Sequence, residues 1–236
     1  MEKKINLYNG IGFCEYLDHL GTDNSIVCAA RTSFLGESKG AEKDRKLLNY
    51  LYRNRHTSPF EQCSITFRIK MPLFVMRQFV RHRTFRLNEW SGRYSKLKDE
   101  FYFPKSWRKQ DDVNKQGSVP EEDWNPVVEH DSYTTQEIRA SGVLAQVCHE
   151  AYSRYEDLLK VGVAREMARM VLPQNIMTQI VVNCDIRNLC HFLTLRQHEH
   201  AQLEIRELAD AMYIIMKELF PWTAEAYETY TWELAV

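Results

Sequence analysis

The sequence predicts an α+β fold, one antiparallel sheet packed with several helices, and three observations carry that prediction. Residues 63–71 alternate apolar and polar side chains over the length of a strand. Residues 205–219 carry a sustained apolar stripe at helical spacing that stops before Pro221. Several shorter segments elsewhere repeat the helical period.

Taken in chain order, Lys43 to Arg53 places Leu47, Leu48 and Leu51 on one helical face. Cys63, Ile65, Phe67, Ile69 and Met71 then alternate with Ser64, Thr66, Arg68 and Lys70, the pattern of a half-buried strand. Pro72 stands where a helix can begin, and Phe74, Val75, Gln78 and Phe79 follow at helical spacing. That helix would deliver Arg81, His82 and Arg83 at its C-terminal end. Thr134 with Glu137 resembles a capping box opening a long helix toward Lys160, with Val147, Ala151, Tyr155 and Leu158 inward. A helix over Val163 to Val171 precedes Pro173, and the stripe Ile205, Leu208, Ala209, Met212, Ile215, Met216 and Leu219 closes the series. Between residues 105 and 133, Gly117, Pro120, Pro126 and many charges interrupt every apolar period, so this stretch reads as a surface excursion from a single domain over residues 1–236.

Composition limits the function classes. With 44% hydrophobic and 27% charged residues, the chain is an ordinary globular protein and not a disordered one. A formal net charge of −1 gives no global field toward nucleic acid or membrane, so anion binding must come from local clusters of basic residues. Six scattered cysteines without a Cys-x-x-Cys pair, no signal-peptide pattern and no long apolar run point to buried free thiols in the cytoplasm.

The chemistry concentrates in Arg81 to Tyr94, RHRTFRLNEWSGRY. Four arginines and a histidine lie beside Asn88, Glu89, Ser91 and Gly92. A guanidinium offers a fixed fork of donors suited to phosphate or a pyrimidine carbonyl, and a glycine beside a serine lets a backbone N–H approach an anion. Glu89 among arginines can orient them or accept from a ribose hydroxyl. Read as composition, the segment is equally a solvated basic loop.

This segment resembles the signature of the flavin-dependent thymidylate synthases, in which Arg-His-Arg is followed by Ser, Asn-Glu, Ser and Arg-Tyr at fixed spacing. One fixed position departs, because Arg86 stands where the family has its first serine. Ala30 to Phe34, His56 to Glu61, Arg165-Glu166 with Ala168-Arg169, Val171 to Pro173, Leu195-Arg196 and His200 to Gln202 extend the resemblance over most of residues 25 to 225. It implies the fold of that family and the methylation of deoxyuridylate (dUMP) to thymidylate (dTMP). The carbon donor would be methylenetetrahydrofolate, and FAD reduced by NADPH the hydride donor.

Carried over residue by residue, the resemblance assigns Arg81, His82 and Arg83 to the flavin, with Ser33, Ser58 and Glu89 assisting and His56 on the folate side. Asp185, Arg187 and His191 complete the expected flavin contacts, although Asp185 stands where a common family member has Asn. Gln78, Ser91, Gly92 and Arg93 would hold dUMP, bordered by Arg81 and Glu89, with Arg93 near the phosphate. Arg169 joins them, and Arg196 polarises the uracil ring. The family also implies a homotetramer whose active sites are shared between subunits.

Spacing adds a little. Arg165 and Arg169 are four apart, as are Arg187 and His191, and Arg196 and His200, so each pair would share a helical face. The bland alternative pairs these arginines with nearby glutamates such as Glu166 and Glu204. Ser91 has no base to activate it and reads as a ligand, while Cys190 and His191 are adjacent on a helix and point about 100° apart, which excludes a dyad.

Two other readings compete. A metal hydrolase would draw on His198, Glu199, His200, Asp185 and His191, but the His-Glu-x-x-His spacing of a zinc helix is absent and no metal is expected. A nucleic-acid module would stack bases on Phe85, Trp90 and Tyr94, but one basic segment in a chain of net charge −1 makes no backbone track. No nucleic-acid or membrane partner is expected.

Overall fold

The computed structural model describes residues 4–32, 37–115, 117–130 and 137–230 of the 236. Strand β1 (Lys4–Leu7) turns through Tyr8–Gly10 into β2 (Gly12–Leu20). Gly21 follows with φ +80, and a Cβ there would approach Cys63 Sγ to 2.5 Å, so only glycine fits this handover to α1 (Asp23–Ala30). Helix α2 (Ala41–Arg53) opens two residues before the expected start and buries Leu48 and Leu51.

The alternating segment is β3 (Ser64–Pro72), and Cys63, Ile65, Phe67, Ile69 and Met71 are all fully buried, as the period-two pattern requires. Pro72 supplies the N-cap of α3 (Leu73–Phe79), which buries Val75, Met76 and Phe79 and leaves Gln78 half-buried. The motif then forms the short β4 (Arg86–Glu89).

The excursion carries two small hairpins, β5 (Arg108–Gln110) with β6 (Ser118–Pro120), and β7 (Val127–His130) with β8 (Glu137–Arg139). Here the expected capping box fails. Glu137 belongs to β8, Arg139 is the N-cap of α4 (Ala140–Lys160), and Thr134 lies outside the described residues. The inward face of α4 is the expected one only in part. Tyr155 is buried as expected and Ala151 and Leu158 are half-buried, but Val147 is 49% exposed and Cys148 is buried beside it. The reason is local, since α4 packs through Leu144, Cys148 and Tyr152 on a small cluster with Phe101 and Ile176, separate from the main core.

The helix expected over 163–171 is broken into α5 (Arg165–Ala168) and a 3-10 turn at Arg169–Val171. Strand β9 (Met177–Asp185), α6 (Ile186–Arg196), α7 (Leu203–Leu219) and α8 (Pro221–Thr229) complete the chain. The expected stripe is the buried face of α7, with Ile205, Leu208, Ala209, Met212, Ile215 and Met216 all at or below 1% exposure.

One five-stranded sheet runs in the order β1-β2-β3-β9-β4, every pairing antiparallel. Its core face meets α1, α2, α3, α6, α7 and α8 in one apolar cluster. The architecture is therefore the expected α+β sheet packed with helices. Among the described residues, no helix is long and apolar enough to cross a membrane, and all six cysteines are free, with only Cys28 exposed.

Candidate active site

Edge strand β4 organises the site. It pairs with β9 from Arg86 opposite Asn183 to Glu89 opposite Ile180, a span of roughly 10 Å at about 3.3 Å per residue. The motif enters at one end with Arg81, His82 and Arg83 and leaves at the other with Ser91, Gly92 and Arg93. The expected site residues consequently fall into two groups.

The first group lines a cleft of about 500 Å³ and comprises Glu89, Ser91, Gly92, Arg93 and Arg169. Trp90 N donates to Gln179 O at 2.8 Å, which keeps the chain on β9 for one residue beyond β4. The turn that follows is held by Tyr94 N on Ser91 O at 3.1 Å and Arg93 N on Ser91 Oγ at 3.3 Å. Gly92 is buried, and a Cβ on it would meet three atoms of Leu97 at 3.2 Å. Thr178 Oγ1 donates to Glu89 Oε1 at 2.6 Å and so aims that carboxylate. Arg93 pairs with Glu166 at 3.1 Å, but both side chains are more than half exposed, so a stronger anion can displace the contact. Arg165 does not join Arg169 in this cleft. It lines a separate depression with Lys96, Leu159 and Gly162, because the break after Ala168 turns the two arginines apart.

The second group gathers around α6. His82 lies in an aromatic nest, its ring centroid 4.8 Å from Phe192 and 5.8 Å from Phe85. Arg196, the last residue of α6, donates from Nε to His82 Nε2 at 3.0 Å, which requires a neutral imidazole with its proton on Nδ1. Burial, then the Arg196 charge, then His191, push His82 down to about 4. His191, itself lowered by burial and by Arg187, stands on the same helix as both arginines.

The sign of the His82 shift gives a pH dependence. The folded value lies below the ordinary 6.5, so the unfolded chain binds the extra proton between those values. The stability contributed by neutral His82 is present above pH 6.5 and is lost as pH falls through about 4. We expect the His82 Cε1 proton in an NMR titration to move with a midpoint near 4, whereas a midpoint near 6.5 would mean that Arg196 and the aromatic nest do not act on this ring.

Asp185 is engaged at the start of its own helix. It is the N-cap of α6, accepting from Asn188 N at 2.9 Å and Asn188 Nδ2 at 2.7 Å, a position where the helix dipole favours its charge. Arg187 reaches it only through Asn188, whose Oδ1 accepts from Arg187 Nη1 at 2.7 Å. Arg86 is exposed on β4 and makes a long 3.4 Å contact with Asn183 Oδ1. His56, in the loop after α2, and Ser58, the first residue of the 3-10 turn Ser58–Gln62, are exposed, the His56 ring 5.8 Å from Tyr50, and Ser33 lies outside the described residues.

Gln78 lines neither the cleft nor the aromatic nest, and hydrogen-bonds Gln202 just before α7. Nor do the arginines take the glutamates offered by the bland alternative, since Glu166 pairs with Arg93 and Glu204 with Arg108. Cys190 is fully buried and its thiol is pushed up to about 12 by burial, which leaves it unreactive. Among the described residues, no group of three or more His, Cys, Asp or Glu side chains is placed to hold a metal ion. Thr178 is the member that sequence reasoning gave no site role, because it sits on a strand that sequence reasoning did not predict.

Comparison with known proteins shows the family to which the chain belongs. Residues 15–222 match the family model described as thymidylate synthase complementing protein. The flavin-dependent thymidylate synthase of Thermus thermophilus is 46% identical over 94% of this chain and 77% of its own. The enzyme of the same name from Thermotoga neapolitana is 44% identical over 94% of this chain and 93% of its own. Among solved structures, the UMP/dUMP methylase PolB from Streptomyces cacaoi, bound with 5-Br dUMP, superposes with a TM-score of 0.80. It is 33% identical over 93% of this chain and 95% of that one. A family model spanning most of the chain, close relatives over nearly its whole length and a shared fold leave one assignment: the chain belongs to the flavin-dependent thymidylate synthase family.

Proposed function

We propose that the protein converts dUMP to dTMP, with methylenetetrahydrofolate as carbon donor and FAD, reduced by NADPH, as hydride donor. The observation that carries this reading is the cleft that gathers Glu89, Ser91, Gly92, Arg93 and Arg169. Two guanidinium groups and a turn of backbone amides suit a phosphomonoester, and a carboxylate held by Thr178 suits a sugar hydroxyl. Its volume, about 500 Å³, is that of a small-molecule site.

The donor set around α6 suits a flavin. Arg81 and Arg83 are exposed cations for a diphosphate, and the neutral His82 ring in its apolar nest suits the edge of a planar heterocycle. Bound there, FAD supplies two-electron hydride chemistry. The chain's own residues do the rest. Arg196, its Nε fixed by His82, turns its remaining N–H groups toward a uracil carbonyl and stabilises charge that develops on it. Arg93 and Arg169 anchor the phosphate, which orients the base for reaction.

The two groups lie at opposite ends of β4, and apolar side chains flank the cleft: Tyr94 is 82% exposed, Met170 72% and Met167 54%. A second copy of the chain would cover them and bring an Arg196 group to a cleft, which supports sites shared between copies; the assembly proposed is a homotetramer, and the six free thiols of the chain suit the cytoplasm.

The first test is an absorption titration. Purified protein with FAD should give a bound oxidised-flavin spectrum that shifts saturably as dUMP is added. Absence of flavin binding would reduce the motif to a basic nucleotide-binding loop with a different chemistry.

A further inference from the structure

We propose that Tyr152 and Tyr155 are positioning residues that set the turn at Ser91, Gly92 and Arg93 through Leu97, and thereby the affinity for the phosphate of dUMP. The proposal rests on the reading that this cleft holds the nucleotide. Both tyrosines stand on α4, at a spacing that puts them on one face of the helix. Their hydroxyls close on a single residue. Tyr155 OH accepts from Leu97 N at 3.1 Å, and Tyr152 OH donates to Leu97 O at 3.0 Å. Lys96 joins the same face, paired with Glu156 and 5.7 Å from the centre of the Tyr152 ring. Tyr155 is fully buried, so its hydroxyl is a fixed point for the Leu97 amide.

Leu97 carries this clasp to the cleft, which it lines beside Gly92. A Cβ on Gly92 would lie 3.2 Å from three Leu97 side-chain atoms, so the two residues are already in contact and the turn feels any shift of Leu97. The turn itself is closed by Tyr94 N and Ser95 N, both donating to Ser91 O. Neither the Ser91 amide nor the Gly92 amide has an acceptor among the described residues, and Gly92 is buried. Uncommitted N–H groups beside Arg93 suit a phosphate, and they converge on it only while the backbone is held. The opposite wall shares the support. Leu172, directly after the 3-10 turn that carries Arg169, packs like Leu97 and Tyr152 against Phe101, Cys148 and Ile176. The small core under α4 is thus the back wall of the cleft, to which it contributes Leu73, Leu97, Leu172 and Ile176.

Phenylalanine at both positions tests the clasp, because it keeps the rings that fill the small core. The Leu97 amide then loses its acceptor and the carbonyl its donor, while the packing on α4 stays. A merely structural pair of tyrosines would lower stability and weaken every ligand alike. A positioning pair weakens the phosphate alone.

The test measures dissociation constants by calorimetry for dUMP and, by competition, for deoxyuridine, the same molecule without its phosphate. It compares the wild type with the double variant Tyr152→Phe, Tyr155→Phe, each supplied with FAD. We expect the double variant to weaken dUMP about tenfold and deoxyuridine by less than about twofold. The Leu97 amide should exchange faster with deuterium, and the Gly92 amide resonance should move without added ligand. If the double variant does not fold, Tyr152→Phe alone, at a half-buried position, should weaken dUMP about threefold and leave deoxyuridine unchanged. Unchanged dUMP affinity, or an equal loss for both ligands, overturns the clasp. Failure of the wild type to bind dUMP, or to prefer it to deoxyuridine, overturns the reading of the cleft itself, and the proposal with it.

Discussion

Arg196→Ala is expected to lower the rate of dTMP formation by about a hundredfold to a thousandfold, the cost of removing one donor aimed at developing charge. The side chain is half-buried, its Nε–H is committed to His82, and among the described residues it forms no ion pair. A guanidinium held by one nitrogen and otherwise unneutralised is oriented for an incoming acceptor, and alanine removes both the charge and the restraint on His82. Two readouts separate this from general damage. The His82 midpoint should rise in the variant, because the Arg196 charge is the second cause of its depression after burial. Co-expression with Arg93→Ala should restore about a quarter of the wild-type rate, the fraction expected when random assortment combines two intact halves at one site. Failure to restore activity would mean that each copy builds its site alone.

Much of the fold is legible in the sequence, and what escapes has physical causes. Strand β3 and helix α7 announce themselves because each buries one face and solvates the other, so period and polarity agree. Strand β9, second from the edge of the sheet, escapes because Ile180, Val181 and Val182 form a continuous apolar run that fits strand or helix equally. Strand β4 escapes for the opposite reason. Only Leu87 in it is apolar, and pairing with β9 makes it a strand.

The site divides in the same way. Arg81 to Tyr94 reads at once as a nucleotide motif, but the sequence gives no sign that β4 holds its two ends apart. Asp185 resembles a residue out of place beside a flavin, yet it caps α6 through Asn188, three residues on. Glu204 passes for a surface partner of Arg196 until its long-range contacts with Tyr102 and Arg108 come into view. Contacts across many tens of residues leave no local period, and one sequence alone does not reveal them.

Asp23→Ala should lower stability by about 3 kcal/mol, and the melting temperature by roughly 6–12 °C for a chain of this size. Helix α8 begins at Pro221 after Phe220, a residue with no side-chain cap, so its first-turn amides need an acceptor from elsewhere. Asp23, in the first turn of α1, supplies it. It accepts from Trp222 N at 2.8 Å, Thr223 N at 3.1 Å and Thr223 Oγ1 at 2.7 Å. Asp23 is 5% exposed and Thr223 is fully buried, so alanine leaves the Thr223 amide and hydroxyl without an acceptor and without water, and the half-buried Trp222 amide without its acceptor. Relief of the carboxylate's own burial offsets part of that loss, which is why the sum falls below three full hydrogen bonds. The same balance sets the pH dependence. Burial raises Asp23 above its ordinary 3.8 despite the three bonds, so the contribution of this group is greatest below that value and declines as pH rises through the folded one. The gap in melting temperature between wild type and Asp23→Ala should therefore be wider at about pH 4 than at about pH 8. Asp23→Asn, which keeps an acceptor for Thr223 but turns an NH2 toward Trp222, should fall between the two proteins. A melting temperature unchanged by Asp23→Ala would show that α8 is held by its apolar face alone, through Ala224 and Tyr227, and that the link from α1 adds nothing.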